Sequence, residues 1–208
     1  MTRKPWLACS AALIFAVAAC SDSTGPNGIS ADDANELAAD LDATSAFTVG
    51  DIGLGAAFDI VTDGSGAAAT VSSPTTFDNN FSFTHQCPKG GEVALAGRVV
   101  GTGDRATRSL SVESTATRTD TDCAFQTKHG QITLNGNPNI AFDGKLNIVN
   151  GVLSGPQTAT HKGSFSWART GASGTCDVDL TSTYDPDTHT ATVTGTFCGI
   201  DVNVTRTR

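Results

Sequence analysis

Asn150-Gly151 lies between two stretches in which alternate residues are apolar. That dipeptide is the strongest short-range hairpin signal, because both residues accept the positive φ of a type I′ turn. On its upstream side the even positions Ile140, Phe142, Leu146 and Ile148 are all apolar. A turn there places Ile148 opposite Leu153, Leu146 opposite Gly155, Phe142 opposite Ala159 and Ile140 opposite His161. The partners then share a face with Phe165 and Trp167. Turn and hydrophobic pattern agree on one register, which commits this region to antiparallel sheet.

Similar alternation appears in Val93, Leu95 and Val99, and in Leu110, Val112 and Ala116. From Phe81 onward Thr, Val and Ile dominate between recurrent turn signals. This predicts eight strands, at 81–87, 92–101, 107–118, 123–135, 139–149, 152–168, 176–184 and 190–206. Every connection is short, as in an antiparallel up-and-down meander. The expected fold is mainly β: about eight strands in a barrel or strongly curved sheet. The single Met and the Gly and Thr content argue against a helical bundle.

Ser30 to Ala43 reads as a short helix. Ser30 suits the N-cap, Asp33 gives a weak capping box, and Asp32, Asp33 and Glu36 suit the positive end of the dipole. Ala34, Leu37, Ala38 and Leu41 form one narrow apolar stripe. So short a helix is marginal alone and needs a surface to dock on. The Gly/Ala-rich stretch from Ala46 to Asn80 reads as loop with one or two short strands. Its glycines at 50, 53 and 55 do not match a nucleotide fingerprint.

The start of the chain is an address. Arg3 and Lys4 form a basic n-region, and Trp6 to Ala19 is uncharged and ends in small residues, the layout of a secretory signal peptide. The segment closes on Val17-Ala18-Ala19-Cys20. This resembles the lipobox of bacterial lipoproteins, and the resemblance covers the leader only. It implies cleavage before Cys20, diacylation of Cys20 and membrane attachment by several acyl chains. Ser21 resembles an outer-membrane sorting signal, so the implied address is the cell envelope and its outer membrane. The organisation is then leader 1–19, flexible tether 20–29, acidic helix plus Gly/Ala-rich segment 30–80, and β-meander domain 81–208.

Charge narrows the partners. The net charge is −8, which argues against a nucleic-acid backbone as partner. Between Cys20 and Asn80 there are 10 acidic residues and no Lys or Arg. Placed beside an anionic headgroup layer, that segment favours a stand-off tether. A membrane-spanning barrel is not expected, because Arg98, Glu113, Asp177 and Asp179 lie opposite the apolar faces. The chain also ends in Arg206-Thr207-Arg208, where outer-membrane barrels commonly end in an aromatic residue.

Of six cysteines, Cys9 belongs to the leader and Cys20 to the lipid site. In an oxidising compartment the other four form two disulfides. The meander puts Cys87 and Cys123 at one rim and Cys176 and Cys198 at the other, so those are the expected pairs. The strand-eight apolar parity changes near Cys198-Gly199, which reads as a one-residue bulge aligning the second pair. A zinc site is the alternative, but no Cys-x-x-Cys exists.

Inward positions Gly97, Ser114, Gly144, Gly155, Ala159 and Gly163 are small. The expected occupant of that room is the helix; the alternative is an apolar ligand touching Phe142, His161, Phe165 and Trp167. No nucleophile-elbow, zincin or phosphate-loop motif is present, and neither metal nor cofactor is implied. His161, set on the apolar face, is the one candidate catalytic residue. Three classes of function remain. In order, they are a non-enzymatic accessory or structural envelope protein acting through its surface, a carrier of a small apolar molecule or lipid, and an envelope hydrolase using His161.

Overall fold

The computed structural model describes residues 28–45, 74–104, 106–136 and 139–207. The leader, Cys20, most of the tether and the stretch 46–73 lie outside the described residues.

One helix, α1 (Ala31–Ser45), precedes eleven strands. They are β1 (Thr75–Gln86), β2 (Glu92–Asp104), β3 (Ser109–Thr121), β4 (Cys123–Thr127), β5 (Gly130–Asn135) and β6 (Ile140–Val149). Then come β7 (Val152–Leu153), β8 (Gln157–Arg169), β9 (Ala172–Asp185), β10 (Thr190–Phe197) and β11 (Ile200–Thr207). All pairings are antiparallel, and the main path runs β1-β2-β3-β6-β8-β9-β10-β11.

The mainly antiparallel β expectation holds; its strand count and closure do not. The single strand read at 123–135 is a hairpin, β4–β5, reversed at Lys128-His129. It stands off the main path, so β3 pairs directly with β6, and β5 instead joins the end of β8. The strand read at 152–168 breaks into β7 and β8 around Ser154–Pro156. The strand read at 190–206 is also a hairpin, with Cys198 and Gly199 both at positive φ. The parity change there is a two-residue turn, not a bulge. Among the described residues β1 and β11 do not pair, so the sheet is open and not a barrel.

Asn150 and Gly151 form the expected turn, at φ 54° and 82°, with Ile148 opposite Leu153. Beyond the break at Ser154–Pro156 the register slips by two residues. Phe142 therefore faces His161 instead of Ala159, and Ile140 faces Gly163 instead of His161. The proposed Leu146–Gly155 pair is not part of the ladder. A slip of two preserves side-chain parity, so His161 still points inward.

The inner face can be read row by row. Phe81, Gly97, Ala116, Phe142, His161, Leu180, Gly195 and Val202 lie across one row. Phe83, Leu95, Arg118, Ile140, Gly163, Val178, Phe197 and Ile200 lie across the next. Leu37 and Leu41 of α1 share one core with Phe81, Leu95, Ile140, Leu180, Phe197 and Trp167. The helix touches β2 and β4 as well as β10 and β11. In a flat sheet the five steps from β2 to β10 would span about 24 Å, against a helix about 10–12 Å across. The sheet therefore curls round the helix.

Three of the small residues read as inward, Gly97, Gly144 and Gly163, leave no open room. A Cβ at Gly97 would collide with the Thr115 carbonyl, and one at Gly163 with the Asn139 carbonyl. These glycines mark close approach of neighbouring backbones, where the sheet bends. At Gly144 the space is taken by the Ser114 hydroxyl and the Phe142 ring.

Both disulfide pairs form as expected: Cys87–Cys123 with α-carbons 5.4 Å apart and Cys176–Cys198 with 4.6 Å. The expectation of opposite rims fails. The β4–β5 hairpin reverses every later strand, so both disulfides lie at the rim holding the β1–β2, β8–β9 and β10–β11 turns.

Candidate functional site

The chemistry of this domain is concentrated where α1 meets the sheet. At the start of the helix Ser30 Oγ accepts from the Asp33 backbone N–H at 3.1 Å, the N-cap that the sequence implied. The Asp33 side chain is buried, and it accepts from Arg169 Nη1 at 2.9 Å and lies 3.0 Å from His129 Nδ1. Burial alone would raise the Asp33 carboxyl. Hydrogen bonds from Thr127, His129, Arg169 and Ser30 outweigh it and hold the group below its ordinary 3.8. Arg169 also donates to the Gly28 carbonyl at 2.6 Å and stands 5.5 Å over the Trp167 ring. Lys128 pairs with Asp32, and its backbone N–H donates to Glu36. The β4–β5 turn and the end of β8 thus grip the helix N-terminus.

A second set holds the other end. Arg118 and Asp120 occupy successive inward positions of β3, and both side chains are wholly buried. Arg118 makes a fork to Asp120, Nη2 to Oδ1 at 2.6 Å and Nε to Oδ2 at 3.1 Å. Its Nη1 donates to the Leu41 carbonyl at 2.9 Å and to the Thr44 and Ser45 hydroxyls at 2.8 Å each. A cation therefore meets the last-turn carbonyls, where the helix dipole is negative. Among the described residues Asp120 is the carboxylate that pairs with this buried charge.

Between these ends lies His161 on β8, with no solvent exposure. Among the described residues neither ring nitrogen has a hydrogen-bond partner. Its Nε2 stands 3.8 Å from Asp42 Oδ1 of α1, and its ring meets Phe142 edge-on at 5.2 Å. Burial holds the imidazole neutral below its ordinary 6.5; Asp42 opposes that and Arg118 adds to it.

The other ligand candidates are packing residues. Phe142, Phe165 and Trp167 are buried, and Phe165 packs against Phe197 at 5.3 Å. None of them lines either of two clefts seen among the described residues. One cleft, about 310 Å³, lies at the rim between Pro74, Thr102–Asp104, Leu110 and Asn147–Val149. The other, about 210 Å³, runs between α1 (Ala39, Asp42, Ala43) and β10–β11 (Ala191, Val193, Val204, Arg206).

The remaining cysteines are paired, and among the described residues no group of three His, Cys, Asp or Glu is placed to hold a metal ion. Asp185 Oδ1 accepts from the Asp187 backbone N–H, and His189 Nδ1 lies 3.3 Å from the Tyr184 hydroxyl. Sequence reasoning missed the Arg118–Asp120 pair and the Asp33–Arg169–His129 cluster. The first left a trace: positions 110, 112 and 116 are apolar, and the same parity continues into Arg118 and Asp120. Charges at inward positions of a strand signal a buried pair. The second left none, because its members are brought together only by the β4–β5 hairpin. No protein-family model matches the chain, and no similar curated protein or solved structure was found.

Proposed function

We propose that the chain is a lipid-anchored protein of the bacterial cell envelope, held at the outer membrane through acylated Cys20, with a β-sheet domain that acts through its surface as a non-enzymatic accessory or structural element. The observation that carries this reading is the ordered leader: a basic start, an uncharged run, then Val17-Ala18-Ala19-Cys20. Two disulfides in the β domain support export, because such bonds persist in oxidising compartments. The interior favours a surface role over a carrier role. Leu37, Leu41, Phe142 and the neighbouring strands fill the face that a ligand would need.

Replacing Cys20 with Ser tests the anchor. The variant is expected in the soluble fraction after gentle lysis, while the unaltered chain needs detergent. A variant that still needs detergent would overturn the lipid-anchored reading.

One observation favours a carrier as the second reading. The rim cleft of about 310 Å³ reaches the lower end of ligand-site volumes, ~300–1,000 Å³. Native mass spectrometry of gently purified protein distinguishes the two readings, since a carrier would retain a small apolar molecule. The hydrolase reading has less support, because the His161 ring nitrogens engage no hydroxyl.

A further inference from the structure

We propose that the C-terminal half of α1 is an acid-released lid: protonation of His161 loosens residues 38–45 from the sheet and uncovers the apolar inner face of β8–β11.

His161 lies under that half of the helix, in the row that runs from Phe142 on β6 to Leu180 on β9. An imidazole buried with neither nitrogen hydrogen-bonded is a poorer core residue than Phe or Leu. Packing alone does not explain its presence. Its distinguishing property is that it can gain a charge in mildly acidic water.

The groups facing it decide what that charge does. From α1 comes Asp42, 3.8 Å away. From β3 comes Arg118, whose fork is already closed on Asp120. From β6 and β9 its neighbours across the sheet are Phe142 and Leu180, neither of which titrates. An imidazolium here loses its hydration and feels Arg118, and one carboxylate beyond hydrogen-bond distance compensates only in part. Burial is the dominant cause and keeps the buried ring neutral below 6.5.

With the lid open, the ring is solvated and takes up its proton near pH ~6.5. Opening therefore binds a proton and becomes easier as pH falls below 6.5. The closed state is favoured most above that value, and the gain from acid levels off once the buried ring itself titrates. Each pH unit within that window raises the opening constant by up to about tenfold.

The helix should open from one end only. At its start Asp33, whose carboxyl is held below its ordinary 3.8, accepts from Arg169 at 2.9 Å, so mild acid leaves that contact in place. At its other end the Arg118 bonds to Leu41, Thr44 and Ser45, and the Arg206–Asp40 pair at 3.3 Å, are what must yield. That end already borders the 210 Å³ groove, where Ala39, Ala43, Val193 and Val204 lie beside Asp42 and Arg206.

Amide hydrogen exchange on the chain from residue 20 onward, with Cys20→Ser so that no acyl chain competes for dye, tests this. Between pH 7.5 and 5.0, after correction for intrinsic rates, protection of residues 38–45 is expected to fall by up to about thirtyfold. Binding of anilinonaphthalene sulfonate should rise with it, while residues 31–35 and strands β8 and β9 keep their protection. His161→Phe should abolish both changes. Unchanged protection of 38–45 in the parent chain, or the same loss in His161→Phe, overturns the proposal. Ring NMR titration of the parent chain gives an answer even if His161→Phe fails to fold. An imidazole that titrates below its ordinary 6.5 supports the lid, and one that titrates at or above 6.5 overturns it.

Discussion

Two buried charges do most to fix the helix at the residue scale. Arg118 has its charge matched by Asp120 and its remaining donors taken by the last turn of α1. Asp120→Ala leaves that guanidinium in the core without a carboxylate. The expected cost is about 3–5 kcal/mol in denaturant unfolding. Replacing both residues with Leu should cost less than Asp120→Ala alone, because no unpaired charge remains. Asp33 predicts the acid behaviour of the other end. Its carboxyl is held below 3.8 by Thr127, His129, Arg169 and Ser30 against the opposing effect of burial. A depressed carboxyl contributes fully above its unfolded value of about 3.9 and is lost as pH falls below it. Urea unfolding at pH 5 and pH 3 should therefore show a drop in stability that is smaller in Asp33→Asn. An equal drop in both would remove Asp33 from the account.

Among the elements, α1 is the one whose removal is most informative. It buries Leu37 and Leu41 fully, together worth about 3–6 kcal/mol, a large share of a typical domain's 5–15 kcal/mol. A chain beginning near Phe47 is expected to unfold at lower denaturant, with Trp167 emission shifted to the red. Retained stability together with new apolar-dye binding would instead make the helix a removable cover and favour the carrier. The helix itself was legible in Ser30, the acidic first turn and the narrow apolar stripe, and so was the Asn150-Gly151 turn. The β4–β5 and β10–β11 hairpins were not. Lys128-His129 carries no Gly-based turn dipeptide, although Gly130 follows it, and Cys198-Gly199 drew attention as cysteine before it did as a turn. Positive φ at Cys198 is uncommon outside Gly, Asn and Asp, and nearby the Cys176 bond holds it in place. The two-residue slip after Ser154–Pro156 was hidden for another reason: parity survives it, so the hydrophobic pattern looks the same in either register.

For the whole molecule, the disulfide pairing was right while the expected arrangement of rims was not. Each missed hairpin reverses the chain, so a count of eight strands placed the second pair at the wrong end. Both bonds instead secure one rim, Cys87–Cys123 across 36 residues and Cys176–Cys198 across 22. In the chain-entropy description, loops of that size contribute about 3–4 kcal/mol each. The same rim receives the chain at Gly28, where Arg169 and Trp167 hold it. Gly28 lies eight positions after Cys20, a reach of at most about 26–29 Å when fully extended. If Cys20 is the anchor, the disulfide-bearing rim is the end tethered nearest the bilayer. The most direct test is mass spectrometry of the N-terminal peptide from membrane-purified protein. The account predicts a peptide that begins at Cys20 and carries a diacylglycerol on its sulfur. A free thiol at Cys20, or a mature chain that begins at any other residue, would contradict it.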